Sequence, residues 1–258
     1  MAEWEPTSTR FVAFLDIMGF KDMVFRNKHE EVLKTIETFK TATIDTINDI
    51  ARIRLSQDKK EEKLRYTLKK LFGESIIKTV FFSDSILLIS NDDSADSAEQ
   101  LIINISIMLK EALAAGIPLK GAIAHGKQTA DFDRSLHFGK PLIDAYELQN
   151  ELHLYSVALH HSAEQHLIDI GIIDRFEKDY LYKYKTPLKG GKKVKHYLVA
   201  LEGDLLKSEN LKSTSSKLYS TVSGHTRLYV DHTLEFLESL AEERAKQSQP
   251  TIKVPRNQ

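Results

Sequence analysis

The chain alternates short apolar segments with longer stretches in which apolar residues recur at helical spacing. The apolar segments are rich in branched and aromatic residues, which is typical of buried strands. Strands are predicted over residues 11–15, 76–82, 86–89, 119–125, 181–184 and 194–201. Ser83, Asp84 and Ser85 form a connection short enough for a hairpin between the second and third of these strands.

Helical periodicity predicts the elements that lie between the strands. Helices are expected over residues 29–72, with a charged turn at 58–63, and over residues 98–115 and 142–152. A last helix is predicted from Leu234, Leu237 and Leu240, which recur at helical spacing. Residues 127–135 are expected to form a polar excursion, and the tail from Lys246 onward has the composition of a disordered segment.

This order of elements predicts an α+β fold with a mostly antiparallel sheet that carries the helices. The 258 residues suffice for one large domain or two. We expect an N-terminal tail over 1–10 and one domain over 11–205, with a C-terminal helix and flexible tail over 206–258. Within the domain, the motifs that bear chemistry fall in 11–152, and the segment after about residue 155 is an extension without an assigned role.

Charge and composition narrow the classes of function. The net charge is −1, so the chain has no overall attraction to nucleic acid or to an anionic membrane. It has no cysteine, which rules out disulfides and thiolate metal sites and fits a reducing compartment. The polar N-terminus and the lack of a long apolar run predict a cytoplasmic protein without a membrane span. Alternation of Lys with Tyr over 180–197 indicates a half-exposed strand rather than a nucleic-acid surface.

Asp16 and Asp84 are the first candidates for chemistry, because each lies at the end of a strongly apolar strand. If the first strand lies beside the hairpin, the two carboxylates converge at one edge of the sheet. Oxygen ligands of this kind suit Mg²⁺ and Mn²⁺. Gly19 and Phe20 follow closely, and a Gly there allows the backbone to approach a phosphate. Taken singly, each Asp also fits a turn-forming residue.

Four motifs together resemble the class III nucleotidyl cyclases. Asp16-Ile17-Met18-Gly19-Phe20 after a strand is similar to their first metal motif, and Phe82-Ser83-Asp84-Ser85 to their second. Residues 120–126, of sequence KGAIAHG, resemble the strand that follows the next helix. Phe138-Gly139 before a helix resembles the last substrate-binding segment. The four occur in the family's order and at approximately its spacing.

The resemblance implies a ferredoxin-like cyclase domain that works as a homodimer with active sites shared across the interface. Asp16 and Asp84 would bind two ions, Mn²⁺ or Mg²⁺, with the Ile17 carbonyl as a further ligand. The amides from Ile17 to Phe20 would hold the triphosphate, and Ser83 and Ser85 would contact substrate beside Asp84. The 3′-hydroxyl would attack the α-phosphate and release pyrophosphate. Lys120 would face either the site or the partner subunit.

The chain departs from the purine cyclases at the positions that read the base. A Lys is usual four residues before the second metal Asp, where this chain has Val80, and an Asp or Cys is usual where it has Leu136. Both positions would line the substrate site and both are apolar. Loss of polar base contacts weakens discrimination among bases. The pattern is similar to the bacterial pyrimidine cyclases of the Pycsar anti-phage system, which implies cUMP or cCMP as a messenger for a separate effector, with UTP favoured over CTP.

The transition-state Arg of the purine cyclases is also missing, because its position holds Glu147, and the usual Asn is replaced by Ile143 or Asp144. Either the domain is an inactive nucleotide-binding or interaction module, or another cation substitutes. The candidate cations are Lys78, Lys120, Lys127 and Lys140. An adenylate cyclase with an unusual base pocket is a further alternative. His160, His161 and His166 lack the spacing of a helical zinc pair and are expected to be surface or packing residues.

Overall fold

The computed structural model describes residues 4–41, 77–201 and 203–247. Within these ranges the strands are β1 Thr7–Ile17, β2 Ile77–Phe82, β3 Ser85–Ser90, β4 Leu119–Asp131, β5 Leu136–Gly139, β6 Val157–Leu159, β7 Leu181–Pro187 and β8 Lys193–Val199. The helices are α1 Phe20–Arg26, α2 over 29–41, α3 Ala95–Ala115, α4 Lys140–Glu151, α5 His161–Asp169, α6 Ile173–Asp179, α7 Ser208–Thr221 and α8 Arg227–Gln247. The predicted helix beyond residue 41, its charged turn at 58–63 and residues 248–258 of the predicted tail lie outside the described residues. Lys246 and Gln247, which were expected to begin that tail, are the last two residues of α8.

The strands form one sheet in the order β2-β3-β1-β4-β6-β8-β7, and β5 pairs with β4. All pairings are antiparallel except that of β4 with β6. The predicted α+β fold with a mostly antiparallel sheet is therefore confirmed. Because β6 continues the sheet from β4, the segment after residue 155 is part of the same sheet and core rather than a separable addition.

β1 is an interior strand of the sheet, between β3 and β4, and this position explains its apolar run. Phe11, Ala13 and Leu15 point into the main core, where they join Leu101 and Ile105 of α3. The alternate residues face α4, since the Phe14 ring packs edge-on against the Tyr146 ring at 5.4 Å. A strand covered on both faces shows a continuous apolar run instead of alternation.

Two predicted boundaries at the N-terminal half are wrong. β1 begins at Thr7, so residues 7–10 belong to the sheet and not to a tail, and Arg10 is fully buried. Residues 127–131 continue β4 instead of forming a polar excursion, because they pair with β1 and β5. Both segments are polar in sequence, and they pair with each other across more than 100 residues of chain, with β5 as a second, nearby partner of residues 128–131.

The C-terminal part is more than a helix and a tail. α7 precedes α8, and α8 contributes Val230, Phe236 and Leu237 to the main core. The Phe236 ring lies 5.4 Å from the Tyr184 ring on β7. The helix predicted from Leu234, Leu237 and Leu240 is confirmed. Among helices of the described ranges, none combines the length and the apolar character that a membrane span requires.

Candidate active site

The structure brings Asp16 and Asp84 together at one end of the sheet. Asp16 is the penultimate residue of β1 and pairs with Ser85, the first residue of β3. The backbone amide of Ile17 donates a hydrogen bond of 2.8 Å to the carbonyl of Asp84. This antiparallel pairing fixes the β2–β3 turn against the end of β1, so the convergence expected from the sequence is present.

The turn that carries Asp84 has a strained residue. Ser83 has a φ of 56°, a left-handed conformation that is uncommon for a residue with a side chain. On the other side of the site, the amide of Met18 donates to the carbonyl of Pro118 at 2.8 Å, and Gly19 follows with a φ of 75°. Among the residues that the structure describes, none would come within 4 Å of a Cβ atom at Gly19, so this part of the chain leaves open space at the end of β1.

Electrostatics at this end of the sheet favour a bound cation. Burial raises the pKa of Asp16, and the neighbouring charge of Asp84 raises it further. Lys120 and Lys189 oppose these effects. A half-buried carboxylate that is repelled by a second one is stabilised by a divalent cation, and the oxygen donors present suit Mg²⁺ or Mn²⁺. The residues therefore fit the metal that the resemblance implies.

Lys120 lies directly beside this carboxylate pair, because it is the cross-strand partner of Asp16 on β4. The residue is 1% exposed, and its Nζ donates a hydrogen bond of 2.7 Å to the carbonyl of Gln149 in α4. Burial and then Lys189 lower the pKa of Lys120 to about 8, while Asp16 acts in the opposite direction. Lys120 thus faces the inside of its own subunit.

The two residues expected to read the base lie on different strands, and only Val80 is on the hairpin that carries Asp84. Val80 is half-buried on β2 and pairs with Leu87. Leu136 is 39% exposed on β5, where it pairs with Asp131, the last residue of β4. Because β4 has 13 residues, Leu136 and Lys120 lie on the order of 35 Å apart at about 3.3 Å per residue. One chain therefore does not bring Leu136 to Asp16.

The remaining expected residues are distributed as follows. Phe20 begins α1 and packs against the main core. Ile143 is 58% exposed on α4, whereas the Asp144 carboxylate accepts a hydrogen bond of 2.6 Å from Lys140. Lys78 lies between aromatic rings, with its Nζ 4.3 Å from the Trp4 centroid and 4.5 Å from that of Phe132.

Sequence reasoning missed several residues at this end of the sheet. Lys189 lies in the turn between β7 and β8, yet its charge influences both Asp16 and Lys120. Tyr229 of α8 lies beneath Lys120, and Asp16 contributes to the rise in its pKa after burial. These residues are far from the motifs in sequence. The basic Lys189-Gly190-Gly191-Lys192 sequence indicates a turn that exposes Lys189, whereas no local sequence pattern indicates a role for Tyr229.

A second cluster, Asp93, His125 and His166, has the composition of a metal site. The Asp93 Oδ2 lies 3.4 Å from His125 Nε2, and His166 Nε2 lies 2.8 Å from the Asp93 carbonyl. The two imidazole rings are stacked, with centroids 3.8 Å apart and an angle of 12°. Lone pairs of imidazole lie in the ring plane, so parallel stacked rings do not direct them at one ion. His166 also packs against Phe11, as expected for a packing histidine.

Comparisons with known proteins give likenesses of fold. No protein-family model matches the sequence, and no curated protein matches it. The catalytic core of a rhodopsin-guanylyl cyclase with converted specificity, in complex with ATPαS, is 14% identical with a TM-score of 0.46. The match covers 77% of this chain and 100% of that one. A class III adenylyl cyclase-like ATP-binding protein from Pseudomonas aeruginosa is 12% identical with a TM-score of 0.41, and the match covers 94% of this chain and 44% of that one.

Proposed function

We propose that the chain is a metal-dependent nucleotidyl cyclase that converts a pyrimidine nucleoside triphosphate, UTP in preference to CTP, into its 3′,5′-cyclic monophosphate and pyrophosphate. The observation that carries the proposal is the convergence of Asp16 and Asp84 beside the buried ammonium of Lys120. Paired carboxylates suit divalent cations, and a cation-bound polyphosphate is also attracted by an adjacent ammonium. The cyclic product would act as a messenger on a separate effector in anti-phage defence.

In this reaction the 3′-oxygen forms a bond to the α-phosphorus while the bond from that phosphorus to the β-phosphate oxygen breaks. Pyrophosphate leaves with the electron pair, and the hydroxyl proton passes to solvent. Divalent cations, when bound at the two carboxylates, would lower the pKa of the hydroxyl and neutralise phosphate charge. Asp16 and Asp84 would hold and orient them, and the backbone at Gly19 would leave room for the triphosphate. Lys120 and Lys189 supply positive charge in place of the missing Arg.

The preference for a pyrimidine rests on Val80 and Leu136. Neither side chain can donate or accept a hydrogen bond with a purine ring edge. Recognition of a base depends chiefly on buried polar groups that would be left unpaired by the wrong ligand. A site with apolar residues at both positions therefore lacks the contacts by which a purine would be selected.

Two copies of the chain would complete the site. Large apolar side chains are exposed at both ends of the sheet, namely Phe25 and Phe82 near the carboxylates and Phe138 and Ile143 near Leu136. Apolar surface of this kind marks interaction sites. A twofold axis would place the Asp16 end of one chain against the Leu136 end of the other, which joins the two halves that a single chain keeps apart.

Complementation of inactive variants tests the shared site. Asp16→Ala and Leu136→Arg are each expected to abolish activity in the homodimer. Mixed and reassociated, they should recover about a quarter of wild-type activity, because half of the dimers are mixed and each mixed dimer has one intact site. No recovery, with mixed dimers shown by mass spectrometry, would place both halves of the site in one chain.

The proposed reaction is tested by incubating the purified chain with ATP, GTP, CTP and UTP and Mn²⁺, followed by mass spectrometry of the products. We expect cUMP, with less cCMP, and no product from Asp16→Ala or Asp84→Ala. Formation of cyclic AMP or cyclic GMP would support the proposed reaction and show that the proposed base preference is wrong. Binding of nucleotide without turnover would favour the inactive module, which Glu147 in the position of the transition-state Arg suggests.

A further inference from the structure

The ammonium of Lys120 is buried and lies near an aromatic ring of the C-terminal helix. Its Nζ is 5.7 Å from the ring centroid of Tyr229, which is in the first turn of α8 and is 7% exposed. A cation within about 6 Å of an aromatic face is attracted by the ring. The helix that follows the whole sheet along the chain therefore contacts the cation beside Asp16.

Tyr229 is held in one orientation by contacts on several sides. The Tyr155 ring stacks on it at 5.6 Å, and the His153 ring meets it edge-on at 4.3 Å. Thr233 Oγ1 donates to the Tyr229 carbonyl at 2.6 Å and accepts from the Tyr155 amide at 2.8 Å. A side chain fixed in this way can hold a neighbouring group in place with little loss of entropy on substrate binding.

The loop that precedes β6 connects this helix to the site. His232 Nδ1 lies 2.8 Å from the carbonyl of His153, and the Ser156 carbonyl accepts from the amide of Gly121, the residue after Lys120. Tyr229, the loop and β4 are thus joined by hydrogen bonds and ring contacts. α8 is a structural part of the carboxylate end of the sheet.

We propose that Tyr229 is a positioning residue, whose ring face together with the Gln149 carbonyl holds the buried Lys120 ammonium behind Asp16, from where its positive charge would act on the phosphates of the substrate. This inference rests on the proposed function, since it assigns the phosphate end of that same site. An ammonium has three donors and a long flexible stem, so a second contact narrows the positions it occupies. The C-terminal helix thereby contributes to catalysis without touching the reacting atoms.

The test compares Tyr229→Phe, which keeps the ring, with Tyr229→Leu, which removes it. Phe236→Leu is the matched control, because Phe236 is a fully buried aromatic on the same helix that packs against Tyr182 and Tyr184 instead of Lys120. Two quantities are measured on the full chain: kcat/KM for the preferred triphosphate, and Kd for the 3′-deoxy triphosphate of the same base with Mn²⁺. The 3′-deoxy compound lacks the attacking hydroxyl and reports binding alone.

Tyr229→Leu is expected to lower kcat/KM about tenfold and to raise Kd by a similar factor, as loss of a desolvated cation–π contact predicts. Tyr229→Phe should stay within about twofold of the wild type, and Phe236→Leu should lower the Tm without changing Kd. In a Lys120→Met background, Tyr229→Leu should have no further effect on Kd, because the cation it positions is gone.

Three results would overturn the assignment. The first is that Tyr229→Leu and Phe236→Leu weaken binding and lower kcat/KM equally. The second is that Tyr229→Phe is as impaired as Tyr229→Leu. The third is that the effects of Tyr229→Leu and Lys120→Met on Kd are fully additive. If the wild type binds the 3′-deoxy triphosphate but forms no cyclic product, the proposed reaction is wrong, and the Kd ratios still decide the role of Tyr229. If the wild type binds no triphosphate, both proposals are wrong.

Discussion

Two clusters in this molecule have the residue types of a metal site, and they differ in how their polar groups are satisfied. At the end of β1, Asp16 and Asp84 lie together beside open space, and burial and mutual repulsion raise the pKa of Asp16. At the other cluster, Asp93 lies against the stacked rings of His125 and His166. Its backbone carbonyl and carboxylate already have partners on both histidines.

The difference shows that composition alone does not define a cation site. The two carboxylates repel each other, and the described residues leave open space beside them, so an added divalent cation gains Coulomb energy with both. The histidine cluster would have to rotate a ring and lose a hydrogen bond of 2.8 Å before its lone pairs could converge. The first cluster is arranged for a ligand and the second for holding β4, α5 and the loop before α3 together.

The largest effect is expected from removing one charge at the carboxylate pair. Asp16→Asn and Asp84→Asn should each lower cyclic nucleotide formation about 1000-fold, because several kcal/mol of charge stabilisation is lost. Isothermal titration should show loss of Mn²⁺ binding. Asp93→Asn is the matched control at the second cluster and should leave both quantities unchanged. If only Asp93→Asn abolished Mn²⁺ binding, the metal would bind at the histidine cluster and not at the carboxylate pair.

Asp16→Asn is also expected to change the stability of the fold, and the raised pKa of Asp16 gives the direction of the change. The folded-state pKa of Asp16 is raised, so its charged form weakens the fold above that pKa, and the penalty disappears as the pH falls through it. Without metal at neutral pH, Asp16→Asn should therefore raise the Tm. Added Mn²⁺ should stabilise the wild type and leave the variant unaffected, as measured by thermal unfolding.

A smaller effect is expected at Lys120. Lys120→Met should lower kcat/KM about 100-fold through loss of the buried positive charge near the proposed phosphate site. Burial lowers the pKa of Lys120 to about 8, so the ammonium loses its proton as the pH rises through that value. The wild-type kcat/KM should then fall on the alkaline side of about pH 8. In Lys120→Arg the side chain stays charged, so the fall in kcat/KM should move to higher pH. If the fall stays at the same pH, a group other than Lys120 causes it.

The base preference should change by about tenfold when polar groups are restored. Val80→Lys combined with Leu136→Asp is expected to shift the ratio of kcat/KM values for ATP and UTP toward ATP by that factor. Competition assays with both triphosphates measure the ratio directly. The double substitution Val80→Leu and Leu136→Val keeps both positions apolar and should leave the ratio unchanged. A shift in this control would mean that pocket shape sets the preference.

The smallest effect is expected at the histidine cluster. Asp93→Ala removes the carboxylate contact with His125, so the free energy of unfolding should fall by about 1 kcal/mol. Denaturant unfolding measures this change, and cyclase kinetics should be unaffected. A rise in Tm of the wild type on adding Zn²⁺ that Asp93→Ala abolishes would show that the rings do rotate to bind metal.

The sequence by itself determined the strongly patterned elements. The apolar run of β1, the hairpin around Asp84 and the helix ended by Gly116 were predictable because local periodicity and turn residues specify them. The meeting of Asp16 and Asp84 was predictable as well, since both lie at ends of strands that a short hairpin and a central strand bring side by side. Short-range pattern and strand pairing sufficed for that part of the site.

Tertiary structure alone decided the rest. Polar residues 7–10 and 127–129 became strand because they pair with each other across a long stretch of chain, which satisfies their backbone hydrogen bonds. The β7–β8 turn that carries Lys189 has a local sequence signal, but its proximity to Asp16, like that of Tyr229 to Lys120, depends on tertiary packing. The stacking of His125 on His166 likewise depends on how α5 lies against β4. Burial and contact between remote segments are properties of the folded chain, and they set the charges and orientations on which the site depends.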